Sequence, residues 1–371
     1  MARERPSLRR SRAEADALTL QVLDLFFRQK KKPSQIVGHL ARQGIGLSRA
    51  QVHHYLLRGR DQGFVRLVAP SNNQLHDQIV EAFELRQHTV SVVDVPPDAF
   101  SSAEYVAEKS AAVVLDLIRE VERVDPTRHV GLGMGTGRFS LTVTRSLNRL
   151  LHSEKPLLRR LRLIALTPAA PIERPQYCPV SFFNLINDHF VEQRVGMFTE
   201  PMMKAGDFER MRDSSDTQSH FGFTHAARHK ADIDVVFTGL GDPGQKFDLY
   251  RSFLIDSGRN DVDAWIREKG ILGNVQYRPF TADGPYRESE EEMRPVTLLE
   301  FDDFRRLAEQ KFKYVILAVR KSEHGESRAA ALRALLNKKA THLRAFSHLV
   351  IDSQTAKELI ELERRAPESS D

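Results

Sequence analysis

Cysteine is almost missing from this chain: Cys178 is the only one in 371 residues. A single thiol excludes an intrachain disulfide and suits a reducing compartment, and no patterned partner marks it as a nucleophile. Long apolar runs are missing too. The cleanest, 314–319, is far short of the roughly 20 residues that span a bilayer. The first ten residues, MARERPSLRR, are basic and lead into no apolar signal core, so a cytoplasmic protein, neither exported nor membrane-bound, is expected. There is no Gly-Lys-Ser/Thr phosphate loop, no good dinucleotide fingerprint and no zinc-protease pattern, which leaves no cofactor to expect. His225 and His229 have helical i, i+4 spacing, with His220 nearby, but no acid accompanies them. Adjacent His53 and His54 cannot share a helix face, so no metal is expected. Glu290, Glu291 and Glu292 form a charge run suited to a solvated loop.

The residues present are 41% hydrophobic and 28% charged, ordinary for a soluble globular chain long enough for two or three domains. Charge is unevenly spread. Residues 1–70 hold fourteen lysines and arginines against five acids, a net of +9, while the remainder holds 41 against 45, a net of −4. A basic head on a mildly acidic body attracts a polyanion through counterion release.

That head contains the run SRAQVHHYLLRGRDQGFV at 48–65. Ser48 is a helix cap, Val52, Tyr55 and Leu56 recur at helical spacing, and Gly63 stops the helix before an apolar strand at 64–68. Upstream, 18–27 reads as a first helix after a disordered 1–14. Pro33 opens a second helix buried through Ile36, Val37 and Leu40, and 43–46 is a turn. Three helices and a strand within about fifty residues describe a winged helix-turn-helix. The outward residues of the third helix then become candidates for DNA contact. Arg49, with His53 and His54, is placed to reach base edges, and Gln51, Arg58 and Arg60 to hold phosphates. The segment 69–73 reads as a linker, giving domains at 1–70 and 71–371.

Beyond the linker, a helix at 75–85 leads into strands at 89–93, 129–132, 161–166, 234–238, 314–319 and 349–351. Helical stretches at about 103–122, 139–151 and later alternate with them. Such alternation predicts a mostly parallel, Rossmann-like sheet with helices on both faces. Residues 280–297 read as a loop or small excursion. Two glycine-rich loops follow predicted strands: VGLGMGTGRFS at 130–140 and DVVFTGLGDPGQKF at 234–247. Glycines let several N–H groups converge on one anion, a following helix adds its positive end, and Thr136, Ser140 and Arg138 can contribute donors. Lys321, His324 and Arg328 follow a third strand. All three stretches sit where open α/β sheets bind ligands.

Together these residues resemble the SorC/DeoR-type sugar-binding transcriptional regulators of bacteria. The resemblance rests on 48–65 for the DNA-reading helix and wing, and on 75–93, 130–147, 234–241 and 314–362 for the body. It implies a sugar-isomerase-like α/β effector domain that binds a phosphorylated sugar or related metabolite, in a homodimer or homotetramer on double-stranded operator DNA. Carried over by position, Gly133, Gly135, Thr136, Gly137 and Arg138 would form the phosphate cradle. Gly241 and its neighbours Asp242, Gln245 and Lys246 would line the pocket, with Arg328 near a basic residue of the family. The alternative is a sugar-phosphate isomerase or deaminase carrying an appended winged helix. The 239–245 loop is similar to that of aminosugar-phosphate deaminases, which place histidine where Gln245 stands. Glutamine cannot shuttle protons, so binding without turnover is expected.

Overall fold

The computed structural model describes residues 11–62, 64–65, 70–96, 99–152, 157, 159–168, 175–186, 191, 193–196, 201–213, 230–322, 324–337 and 343–365. The chain divides into two compact units, Met1–Leu67 and Val68–Asp371.

The smaller unit is built on α1 (Arg12–Leu23, continued by a π-helical turn over Asp24–Arg28), α2 (Pro33–Arg42) and α3 (Arg49–Asp61). Leu18, Val22, Leu25, Ile36, Leu40, Leu47 and Val52 form its core, with Tyr55 and Leu56 packed against it. The first helix begins earlier than the apolar pattern predicts, at Arg12 rather than Leu18. The reason is a capping box: Glu14 N donates to Ser11 Oγ while Ser11 N donates to Glu14 Oε2, satisfying two end groups reciprocally. Residues 1–10 lie outside the described residues. At the expected wing, Phe64 and Val65 form a bend whose N–H groups both donate to the Gly59 carbonyl. The rest of the expected strand, 66–68, lies outside the described residues.

The larger unit alternates strands and helices. In order it contains α4 (Asn73–Phe83), β1 (Val90–Val93), α5 (Ala99–Val124), β2 (Val130–Met134), α6 (Arg138–Leu151), β3 (Leu161–Ala165) and β4 (Gln193–Val195). Then come β5 (Met202–Lys204), α7 (Ala205–Asp213), β6 (Ile233–Gly241), α8 (Leu249–Asp256), α9 (Val262–Glu268), β7 (Gly273–Val275), β8 (Arg278–Phe280) and β9 (Met293–Pro295). It ends with α10 (Phe301–Glu309), β10 (Tyr314–Val319), α11 (Ala329–Leu336), β11 (His348–Asp352) and α12 (Ser353–Arg365).

Seven strands run parallel in the order β1-β11-β10-β6-β2-β3-β4. Successive residues of one strand serve opposite faces: Val236 and Leu317 join a cluster with Phe304, Leu332 and Leu359, whereas Val235 and Ile316 join one with Ile118 and Leu147. Burial on both faces explains why these strands read as unbroken apolar runs. The short antiparallel pieces β7–β8 and β5–β9 break the expected loop over 280–297, since β9 lies within it. The chain winds outward from β2 through β3 to β4, and in the other direction from β6 through β10 to β11. The reversal between β2 and β6 opens a crevice at their carboxyl ends.

Among the described residues no helix is long and apolar enough to cross a membrane.

Candidate functional site

A cavity of about 410 Å³ opens at that crevice. Three segments wall it: the loop after β2 with the start of α6 (Thr136 to Ser140), the carboxyl end of β6 with the segment after it (Thr238 to Gly241, then Phe247 to Tyr250), and the loop after β10 (Arg320, Ser322, His324, Arg328). Tyr177, Asn274, Gln276 and Tyr277 complete the lining.

The start of α6 lacks a side-chain cap. Its N-cap is Gly137, at φ +119°, a conformation open to glycine but strained for other residues. The first intrahelical donor is Leu141 N, bonded to Gly137 O at 3.0 Å, so the helix itself offers no acceptor to the N–H groups of its first turn. The hydroxyls are used differently from expectation. Thr136 Oγ1 donates to the Tyr177 carbonyl at 2.6 Å and Ser140 Oγ to the Thr136 carbonyl at 3.0 Å. Each hydroxyl has one proton, so these side chains shape the turn rather than donate to a ligand.

Gly241 lies under a polar patch. A Cβ there would stand 2.3 Å from Asn274 Nδ2 and 2.6 Å from Asp248 Oδ2. Asp248 caps α8, its Oδ1 accepting from Arg251 N at 3.1 Å, and Asn274 Nδ2 donates to its carboxylate at 3.4 Å. Burial pushes the Asp248 carboxyl above its ordinary pKa, opposed by the Arg251 N–H and the charge of Arg328. Arg328 stands at the N-cap of α11. Its Nε is buried without a hydrogen-bond partner, and among the described residues no hydrogen bond or ion pair holds its guanidinium. Burial lowers its pKa, while Asp248 and Asp242 act in the other direction. Arg320 is 5% exposed, with its guanidinium 5.2 Å from the centre of the Phe139 ring. At the mouth, Phe247 and His324 stack with ring centres 4.0 Å apart.

Several sequence candidates lie off the cavity. Gly133 is inside β2, facing Leu166 and Val236, and a Cβ on Gly135 would stand 2.1 Å from Gln276 Oε1. Both permit close packing instead of lining a cradle. Gln245 is buried, its amide donating to the Ser327 carbonyl at 2.9 Å and to Asp242 Oδ2 at 3.2 Å. Asp242 Oδ1 accepts from Gly244 N, and burial raises its carboxyl pKa. Lys246 is exposed, 5.8 Å from the Phe247 ring centre. Lys321 pairs with Glu358 at 3.0 Å. His220, His225 and His229 lie outside the described residues. Asp248, Asn274, Gln276 and Arg320 escaped the sequence analysis. Asp248 and Arg320 had a signal, as a helix cap before 249–256 and as the first residue past an apolar strand.

On the smaller unit, α3 is capped reciprocally: Gln51 N donates to Ser48 Oγ at 3.2 Å, and Ser48 N donates to Gln51 Oε1 at 2.8 Å. Half of the Gln51 amide is therefore committed. Arg58 is partly buried, bonded to Asp16 at 2.5 Å and to Gln62 at 3.2 Å, which ties α3 to α1 and withdraws it from a phosphate. Arg60 pairs with its neighbour Asp61 on the surface. His54 meets Tyr55 edge-on. Arg49 and His53 are exposed, and no other described residue engages either side chain.

No protein-family model and no curated protein matches the sequence. Solved structures do match. The full-length sorbitol operon regulator SorC from Klebsiella pneumoniae is similar at a TM-score of 0.57, with 16% identity over 93% of this chain and 98% of that one. This chain has the SorC fold. A transcriptional regulator from Streptococcus pneumoniae TIGR4 is similar at 0.57, with 14% identity over 79% of this chain and 97% of that one. A DeoR family transcriptional regulator from Listeria monocytogenes is similar at 0.53, with 13% identity over 77% and 98%. The SorC fold accounts for both the three-helix unit and the parallel sheet.

Proposed function

We propose that this chain is a DNA-binding transcriptional regulator whose larger unit binds a phosphorylated sugar or a related anionic metabolite without turning it over. In this reading α3 enters the major groove with Arg49 and His53 at base edges, and Arg60 and His54 lie near the backbone. The body, as a homodimer or homotetramer, spaces two such heads over two half-sites, and ligand binding changes that spacing. The protein works in the cytoplasm on double-stranded operator DNA.

The observation that carries the reading is the α3 surface: a basic helix with a reciprocal cap at its start, whose amino-terminal half presents Arg49 and His53 uncommitted. The pocket supports it, offering an uncapped helix start and an unpaired guanidinium to an anion. The enzyme alternative has little to stand on, because Gln245 occupies the deaminase histidine position and its amide is bound to backbone away from the cavity. The test is a mobility-shift and footprinting experiment on DNA flanking the protein's own gene, with and without a panel of sugar phosphates. A protected site that responds to one of them is expected. Indifference to promoter DNA at modest ionic strength, or catalytic consumption of a sugar phosphate, would overturn the reading.

A further inference from the structure

Resting on the reading of α3 as the helix that enters the major groove, we infer that Leu57 reads a base: its side chain closes over the 5-methyl group of a thymine in the operator. Among the described residues Leu57 is the one large apolar side chain of α3 left exposed, at 51%, whereas Val52, Tyr55 and Leu56 pack into or against the core of the head. Its direction is set by what holds the helix. A Cβ on Gly59 would stand 2.6 Å from Leu23 Cδ1, and Arg58 bonds Asp16, so α1 lies along the side of α3 that carries residues 58 and 59. At about 100° per residue, Leu57 is roughly 200° round from Gly59 and points away from α1. Arg49, His53 and Leu57, all exposed, recur every fourth residue and share one stripe, with Arg60 three residues further on. Ala50, also exposed and seven residues before Leu57, lies on the same side and is short enough to let the helix come close to base edges.

Lone exposed leucines are common on protein surfaces, and what distinguishes this one is its neighbours. The stripe has an arginine at each end, Arg49 and Arg60, in a head whose residues 1–70 hold fourteen lysines and arginines against five acids. Such a surface suits a polyanion and repels a basic partner. Phosphates and sugar edges are met by charged and hydrogen-bonding groups, so a leucine on this stripe has nothing to gain from the DNA backbone. The thymine methyl is the one apolar group that base edges present in the major groove. The order of the stripe also fixes where that thymine lies. On a reading helix, contacts about three residues apart meet successive bases, so the eight residues from Arg49 to Leu57 span about three base pairs. A hydrogen-bonding contact at the amino end of α3 is thereby joined to an apolar contact one short step along the groove.

The experiment uses the full-length protein. A duplex is selected with the wild type from a randomised DNA pool, and each of its thymines is replaced in turn by uracil, which removes the methyl group and keeps the hydrogen-bonding edge. At one position uracil should weaken binding about fourfold, the effect of one methyl-sized group returned to water. That position should lie about three base pairs from the one whose preference Arg49→Ala relaxes. In Leu57→Ala, thymine and uracil should bind equally there, whereas Leu57→Met, which keeps an apolar chain of similar size, should retain most of the difference. Leu20→Ala, the loss of an equally exposed leucine on α1, should behave as the wild type. Indifference to uracil at every position, a difference that survives in Leu57→Ala, or a separation of a full helical turn would sink the inference while leaving the regulator reading intact. So would a change of oligomeric state in Leu57→Ala, read by analytical ultracentrifugation, since it would assign Leu57 to a contact between protein chains. Failure to enrich any duplex would count against both.

Discussion

The Gln245 amide donates to the Ser327 carbonyl at 2.9 Å, joining the loop after β6 to the loop after β10 one residue before Arg328. The same amide reaches Asp242, so one buried side chain sets the mutual position of two pocket walls. Gln245→Ala should loosen them and weaken ligand binding by about 1–2 kcal/mol, the worth of a buried hydrogen bond left unmade. Titration calorimetry against the best-binding sugar phosphate measures this. Gln245→His should create no catalyst, because position 245 does not line the cavity, and an assay for sugar-phosphate turnover checks that half of the prediction.

Gly241 allows a close polar approach in the site. Gly241→Ala should displace Asn274 and Asp248, destabilising the protein by about 1–3 kcal/mol through overpacking and abolishing the ligand-induced thermal shift. A normal shift in this variant would mean that the polar patch is not part of the binding surface.

On the DNA side the arginines of α3 should separate into two kinds. Arg49→Ala should weaken binding to the operator by about 1–3 kcal/mol and relax preference at one base position, as loss of a bidentate base contact does. Arg58→Ala should chiefly lower the stability of the three-helix unit, by up to about 1 kcal/mol, because its partner is Asp16 and both are part-exposed. Fluorescence anisotropy on operator DNA together with chemical denaturation distinguishes the two. Equal effects on both observables for both variants would contradict the assignment.

Acid sensitivity should have one identifiable source in His348. Burial, aided by the charge of His88 and opposed by Glu120, lowers its pKa from 6.5 to about 4. A histidine depressed in the folded state binds its proton first in the unfolded chain, so its contribution is present above about pH 6.5 and is lost as the pH falls toward 4. His348→Phe should flatten the stability curve in that window, measured by urea unfolding at stepped pH. An unchanged acid slope would place the sensitivity elsewhere.

What the sequence disclosed and what it withheld follow a physical pattern. The strand at 314–319 is legible because it is buried on both faces and reads as an unbroken apolar run, and α3 is legible because its cap and periodicity agree. The three-residue pieces β7, β8 and β9 carry no period long enough to recognise. Two of them are joined by Gln276 and Tyr277, both at positive φ, which neither side chain advertises. The pocket was visible only as loops at strand ends. Its polar members Asn274 and Gln276 come from that unrecognised hairpin, and the competition for the Thr136 hydroxyl comes from the Tyr177 carbonyl, 41 positions downstream.

One pairing bears on how the body comes to exist at all. Val90 of β1 lies beside Leu349 of β11, so the first strand made must wait for the last. Until the ribosome has released that final strand, β1 has no partner within the parallel sheet, only the antiparallel bridge to Ser71. A premature stop before His348 would leave a nearly full-length product whose first strand lacks its sheet partner.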